Sequence, residues 1–310
     1  MAKTNKEKIM QMCKTIEQKE GVGSIFPIGS KKSALKIARW STGIEDLDYI
    51  WGGGGPEGRI IEIFGPESSG KTSLGYHLMS LHDMGLYIPI EGTFDSQRAA
   101  SFGNRPKQMF IYRAKYGEQA MAKMMKFAQA GMPLIILDSV PACKPKEDKE
   151  KLHKGIDKDE AVNQRMGGVA RLMHQYLPEL EEICEFTGTT VILINQVRDK
   201  MDAMMFGEKT DTPGGRAIKH YSSIRMQVGR KGWIEIPNKD PKNAAVNQKV
   251  GLIMKCKVVK SKVCNPMMEA ELPMMFDRGF VSFDDIPTIR KELMKQGKRG
   301  SSVDDEEDDD

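Results

Sequence analysis

With 310 residues, 39% of them hydrophobic and 29% charged, the chain has the balance of a soluble globular protein, long enough for one extended α/β domain and unlike a disordered chain. Its net charge of +4 conceals an acidic end, DDEEDDD at 304–310; residues 1–303 alone carry 47 basic against 36 acidic groups, a net +11 that suggests a polyanionic partner. Five cysteines with no CxxC pair, strand-sized apolar runs and an opening without a signal core argue against a disulfide framework, a zinc site, a membrane span and a secretory leader, and for a reducing, cytoplasmic setting.

Near the start, Ile9, Met12, Cys13 and Ile16 fall at i, i+3, i+4 and i+7, one apolar stripe on a short helix. The Gly-, Ser- and Lys-rich stretch after it reads as a linker. Residues 1–34 are therefore expected to form a helix and linker set apart from the body, the stripe packing on its own domain or on a neighbouring subunit. The body is expected over 35–285. Thr42 and Glu45 have capping-box spacing and predict a helix through Leu47 and Tyr49, ended by the glycines at 52–55. Strand candidates follow at 59–64, 86–90, 134–137 and 191–194, with helices at about 71–83, 118–130 and 161–187 between them. Such alternation predicts a mostly parallel sheet flanked by helices. Beyond residue 222, Ile224, Met226 and Val228, and then Val250, Leu252, Met254, Cys256 and Val258, alternate with polar residues, as in half-buried strands of an antiparallel extension. Residues 286–310 hold a short helix near 289–294 and the acidic tail, read either as a competitor for the polyanion site or as a solubilising end.

The strongest motif is Gly65-Pro66-Glu67-Ser68-Ser69-Gly70-Lys71-Thr72, a complete GxxxxGK[ST] between a strand and a helix. Its glycines let successive backbone N–H groups face a polyphosphate, with the helix N-terminus behind them. Lys71 would neutralise the terminal phosphates and Thr72 would place a hydroxyl on Mg²⁺. Asp138, at the end of the apolar run 134–137, is the companion carboxylate for the metal. Glu91 directly follows the strand 86–90, where a carboxylate could orient water, and Gln196 comes after the strand 191–194, where a neutral amide could sense the γ-phosphate.

Together with Ser41-Thr42-Gly43, Leu137-Asp138-Ser139-Val140, Ile194-Asn195-Gln196-Val197-Arg198 and 257–262 (KVVKSK), this loop resembles the RecA recombinases, in the same order and over about 40–280. The resemblance implies a RecA-like P-loop ATPase core that binds ATP and Mg²⁺. It gives Asp95 a place near the adenine and Gln196 the role of a switch into the DNA-binding loop. Lys260 and Lys262 match a pair reaching the ATP of the adjacent subunit. Two segments resemble the DNA-binding loops: about 154–168, with Arg165, Met166 and nearby Arg171, and 198–219, with Arg198, Lys200, Met205, Phe206, Gly214, Gly215 and Arg216. Two positions depart from the family: Arg98 stands where an aromatic stacks on adenine, and His220 stands for a Phe after the second loop. Set against the resemblance, the residues after about 280 are expected to lack the folded C-terminal domain of the bacterial family members, a compact form that would suit a phage recombinase. The expected activity is filament formation on single-stranded DNA, homologous pairing with duplex DNA and strand exchange, with DNA-stimulated ATP hydrolysis. Single-strand-binding and loader proteins would be further partners, in a bacterial or infected-host cytoplasm. A ring-forming helicase or motor and a strand-protecting filament without exchange are the alternatives.

Overall fold

The computed structural model describes residues 4–21, 25, 37–91, 94–103, 109–157, 167–199, 210–238 and 247–299. The chain divides into two compact units, Met1–Ala38 and Arg39–Asp310. The first holds α1 (Asn5–Glu20), opened by a complete capping box in which Thr4 accepts from the Glu7 N–H and the Glu7 carboxylate accepts from the Thr4 N–H.

The second unit begins with β1 (Arg39–Trp40), α2 (Glu45–Ile50) and β2 (Gly55–Pro56), β1 and β2 pairing antiparallel. Here the expected cap differs. Ile44 is the N-cap of α2, without a side-chain hydrogen bond. Asp48 takes the Thr42 N–H on one oxygen and the Ser41 hydroxyl on the other, both at 2.7 Å, which engages Thr42 upstream of the helix. Then follow β3 (Ile60–Gly65), α3 (Lys71–Ser80), β4 (Gly85–Pro89), α4 (Ser96–Ser101), β5 (Met109–Ile111), α5 (Gly117–Gln129) and β6 (Leu134–Asp138). Next come α6 (Lys146–Asp157), α7 (Gly168–Thr187), β7 (Thr190–Gln196), the short antiparallel pair β8 (Arg198–Asp199) and β9 (Thr210–Asp211), and α8 (Gly215–Tyr221). The unit closes with β10 (Ile224–Ile236), β11 (Gln248–Ser261), β12 (Glu269–Met275), β13 (Gly279–Phe280) and α9 (Ile286–Arg299).

Nine strands form one sheet in the order β13-β12-β11-β10-β3-β7-β6-β4-β5. From β10 to β5 every neighbour is parallel; from β10 to β13 every neighbour is antiparallel. The parallel strands read as unbroken apolar runs because both faces are covered. Side chains alternate all the same. Ile61, Ile63, Ile136, Ile192 and Ile194 meet Leu74 and Leu78 of α3 on one face. Ile60, Ile135, Leu137, Val191 and Leu193 meet Leu172, Met173 and Leu177 of α7 on the other. Full burial of each such side chain contributes roughly 1.5–3 kcal/mol. Ile234, Met275 and Ile289 make a third cluster, which anchors α9 along a longer span than the 289–294 core of its sequence pattern.

Candidate functional site

The phosphate loop leaves the C-terminal end of β3 and enters α3 through Gly70, a left-handed N-cap (φ 89°) where a Cβ would lie 2.5 Å from Met254 Cε. At Gly65 the constraint is the sheet itself, since a Cβ would lie 2.0 Å from the carbonyl oxygen of Val228. Lys71 curls over the loop and donates to the carbonyls of Gly65 (2.9 Å) and Pro66 (2.6 Å). Burial lowers its pKa, against the pull of Asp138, Glu67 and Glu91.

Three strand ends, those of β4, β6 and β7, converge beside this loop, at the C-terminal edge where open parallel sheets bind ligands. Asp138 at the end of β6 accepts from Thr72 Oγ1 (2.8 Å) and from Tyr87 Oη of β4 (2.5 Å) through one oxygen. Burial raises the Asp138 pKa; the two hydroxyls oppose that, Glu91 adds to it, and Lys71 offsets it. Glu91, past the end of β4, accepts from Ser139 Oγ and from Gln196 Nε2, the latter at 3.2 Å. Thr72 with Asp138, and Glu91 with Gln196, are thus brought together beside Lys71. Tyr87 and Ser139 join them without having been singled out from the sequence. The residues fit a nucleotide polyphosphate and a hard cation: the loop turns through left-handed Gly70 into the N-terminus of α3, and Thr72 and Asp138 offer paired hard oxygens.

Lys71 and Thr72, with residues 68–70 of the loop, also line a cavity of about 370 Å³. Asp95 caps α4 by accepting the Arg98 N–H (2.9 Å), and Arg98 reaches back to Ser73 Oγ (3.0 Å) and lines the cavity. Trp233 and Phe276 line the same cavity.

Behind Gln196 a buried polar route runs toward the second glycine segment. Asn195 Nδ2 donates to Glu62 Oε1 (2.8 Å) and to the Pro213 carbonyl (2.9 Å). Glu62, fully buried in β3, forms an ion pair with Arg225, which lies over the Phe64 ring (4.8 Å to its centroid). Gly214 (φ 96°) is the N-cap of α8, and a Cβ at Gly215 would stand 2.9 Å from Ala170 Cβ, so the first turns of α7 and α8 lie side by side. Arg171 and Arg216 are exposed in those two turns. Arg198 opens β8, opposite Asp211. Arg165, Met166, Lys200, Met205 and Phe206 lie outside the described residues. The expected loop 154–168 needs correcting at both ends: 154–157 complete α6, a charged helix without the apolar periodicity that would have marked it, and Gly167 and Gly168 begin α7.

Lys260 and Lys262 have their partners away from this chain's phosphate loop. Lys260 Nζ donates to the carbonyls of Lys219 (2.5 Å), His220 (2.8 Å) and Ser222 (3.0 Å) at the end of α8. Burial lowers its pKa, helped by Lys262 and Arg225. Lys262 pairs with Glu181 of α7 at 2.9 Å. His220 is exposed and meets Tyr221 edge-on. Among the described residues no helix is long and apolar enough to cross a membrane.

Comparison with known proteins matches residues 7–281 to the family described as RecA N-terminal domain. Protein RecA of Chlamydia muridarum is 37% identical over 292 residues, covering 92% of this chain and 78% of the relative. That of Thermus aquaticus is 35% identical over 295 residues (93% and 82%), and that of Campylobacter hominis 34% over 304 (96% and 82%).

Proposed function

The chain belongs to the RecA family, and from that premise we propose how its residues divide the work of an ATP-dependent DNA recombinase, which pairs and exchanges homologous strands and hydrolyses ATP in response to DNA. The backbone of 65–70 and the Lys71 ammonium hold the β- and γ-phosphates of ATP. Thr72 and Asp138 would hold Mg²⁺, which would supply charge neutralisation at the phosphoryl oxygens. Glu91 orients the attacking water, Asp95 and Arg98 flank the base, and Gln196 reports the γ-phosphate to the segment that begins at Arg198. Lys260 and Lys262 act across a subunit interface, on the leaving group bound by the next copy, so that each complete site needs two subunits.

Single-stranded DNA lies along Arg165, Met166 and Arg171 of the first segment and Arg198, Lys200, Met205, Phe206, Gly214, Gly215 and Arg216 of the second. Cations take the phosphates, and Met and Phe rest against bases. The filament is a helical assembly in which α1 and its linker (1–34) pack on a neighbour, and the ATPase core spans 35–285. Single-strand-binding and loader proteins assist it in the cytoplasm of a bacterium or an infected host.

One observation carries this reading. Glu91 and Gln196 share a hydrogen bond at the phosphate site, and the next residue back, Asn195, bonds to Pro213 beside the second DNA segment. Adjacent residues of one strand thus touch the carboxylate assigned here to water and the segment assigned here to DNA, which supports a coupling between the two. The test is strand exchange between single-stranded DNA and a homologous duplex, with ATP and Mg²⁺. The wild-type chain is expected to yield joint molecules and Lys71→Ala none. DNA binding and ATP turnover by the wild type without exchange would overturn the recombinase assignment.

A further inference from the structure

The cavity wall facing the phosphate loop is built by a register shift in β10. In its first half, Ile224, Met226 and Val228 pack with α3 on the phosphate-loop face of the sheet. Strict alternation would continue that face with Ile234 and turn Trp233 away from it. Instead Arg230 pairs with Met254 and Gly232 with Ile253, which leaves Lys231 as the extra residue of a β-bulge. Beyond the bulge the faces exchange. Ile234 joins Met275 and Ile289 on the opposite side, and Trp233 packs against the cluster beside the phosphate loop.

In this position the half-buried indole is held from several directions. Phe276 meets it edge-on, with centroids 6.3 Å apart and planes at 73°. The Arg230 guanidinium and the Lys249 ammonium stand 4.2 Å and 4.6 Å from its centroid, cation–π contacts that restrain the ring. With Leu252, Met274 and Phe276 it makes the apolar side of the cavity, whose other side is the phosphate loop, residue 73 and Arg98. A pocket with a phosphate cradle at one side, aromatic and aliphatic surface at the other and, among the described residues, no carboxylate in its lining suits a flat, uncharged heterocycle tethered to a polyphosphate.

We propose that Trp233 is a nucleobase-contacting residue of the ATP site, set there by the bulge at Lys231, and that it supplies the aromatic surface which Arg98 does not. The proposal rests on the nucleotide reading above. The antiparallel half of the sheet then shares the base with Asp95 and Arg98, while the phosphates belong to the parallel half alone.

The experiment compares binding of MgATP and of magnesium tripolyphosphate, which has no base, to the full chain by calorimetry, for the wild type, Trp233→Ala and Trp233→Phe. The Ala variant is expected to lose about tenfold or more in MgATP affinity, the scale of one base–aromatic contact. Its KM for ATP should rise in step, its tripolyphosphate affinity should be unchanged, and Phe should recover most of the loss. MgATP should also change tryptophan emission in the wild type and leave it unchanged in Trp233→Phe. Equal MgATP affinity for wild type and Ala would overturn the proposal. So would a parallel loss of tripolyphosphate affinity, which would mean that the indole only supports the loop. A wild type that binds neither ligand would overturn the nucleotide reading itself, a separate result.

Discussion

Gln196 Nε2 donates to the same Glu91 oxygen that takes the Ser139 hydroxyl, so the amide helps set where that carboxylate points. Gln196→Ala should keep ATP binding but lose the stimulation of hydrolysis by single-stranded DNA, checked by phosphate release with and without DNA; a normal response to DNA would remove Gln196 as the switch. A second residue-level prediction concerns acid. Burial lowers the pKa of His77, against the hydrogen bond to the Thr42 carbonyl, and that of His82, against nearby Asp83, both from an ordinary 6.5. With folded values below the unfolded one, the unfolded chain takes up protons first. Stability should therefore be level above pH 6.5 and fall as pH drops through and below it. His82→Phe, which keeps a ring against Trp40, should flatten that slope in urea midpoints measured across pH. Lys71, Thr72 and Asp138 were legible in the sequence because a phosphate loop is contiguous and a strand-end carboxylate follows an apolar run. Tyr87 was not, since an aromatic inside LYIP reads as core and becomes a hydrogen-bond donor only through its neighbour Asp138. Trp233 was hidden for a different reason: its face depends on a bulge, and a period-two reading sends it to the wrong side.

Among the elements, long apolar strands declared themselves, whereas α4 and β5 are too short for a period to emerge. β12 was masked by Glu269, Glu271 and Pro273, which belong to a strand near the sheet margin and not to a buried one. Within β3 the sequence held a signal that pattern reading passed over: Glu62 is the lone charge in IIEIFG and lies fully buried. A charge there demands a partner, and β10 supplies Arg225, its pairing neighbour in the sheet. Arg225→Met leaves Glu62 with Asn195 alone and should cost about 3–5 kcal/mol of stability, the usual loss when one member of a buried pair is removed. Chemical denaturation of Arg225→Met, Glu62→Gln and the double variant measures this. The double variant should lose less than the sum of the singles, because no uncompensated charge remains.

On the scale of the assembled protein, a composite site has a kinetic signature. If Lys260 and Lys262 serve the neighbouring copy, turnover per subunit should climb with protein concentration. Mixtures of Lys71→Ala and Lys260→Ala/Lys262→Ala chains should recover part of the activity that each lacks alone. Because Lys260 also satisfies three carbonyls at the end of α8, its variant needs a melting curve alongside. The acidic run 304–310 gives a further prediction: a 1–303 truncation should bind duplex DNA more tightly at low salt and converge with the full chain as salt rises, since tethered carboxylates compete for the same cations. Equal affinities at every salt concentration would leave the tail a solubilising end. The sheet itself has a mechanical weak line. β10 is bonded to β11 along almost its whole length but to β3 through four residue pairs only, Ile224–Gln227 against Ile61–Phe64. The phosphate loop springs from one side of that line; Trp233, Leu252, Met274 and Phe276 stand on the other. A nucleotide held at both ends would be a strap across the seam, one that hydrolysis of the γ-phosphate leaves intact and only departure of the product releases, so the joint between the two halves of the sheet would loosen when the nucleotide leaves.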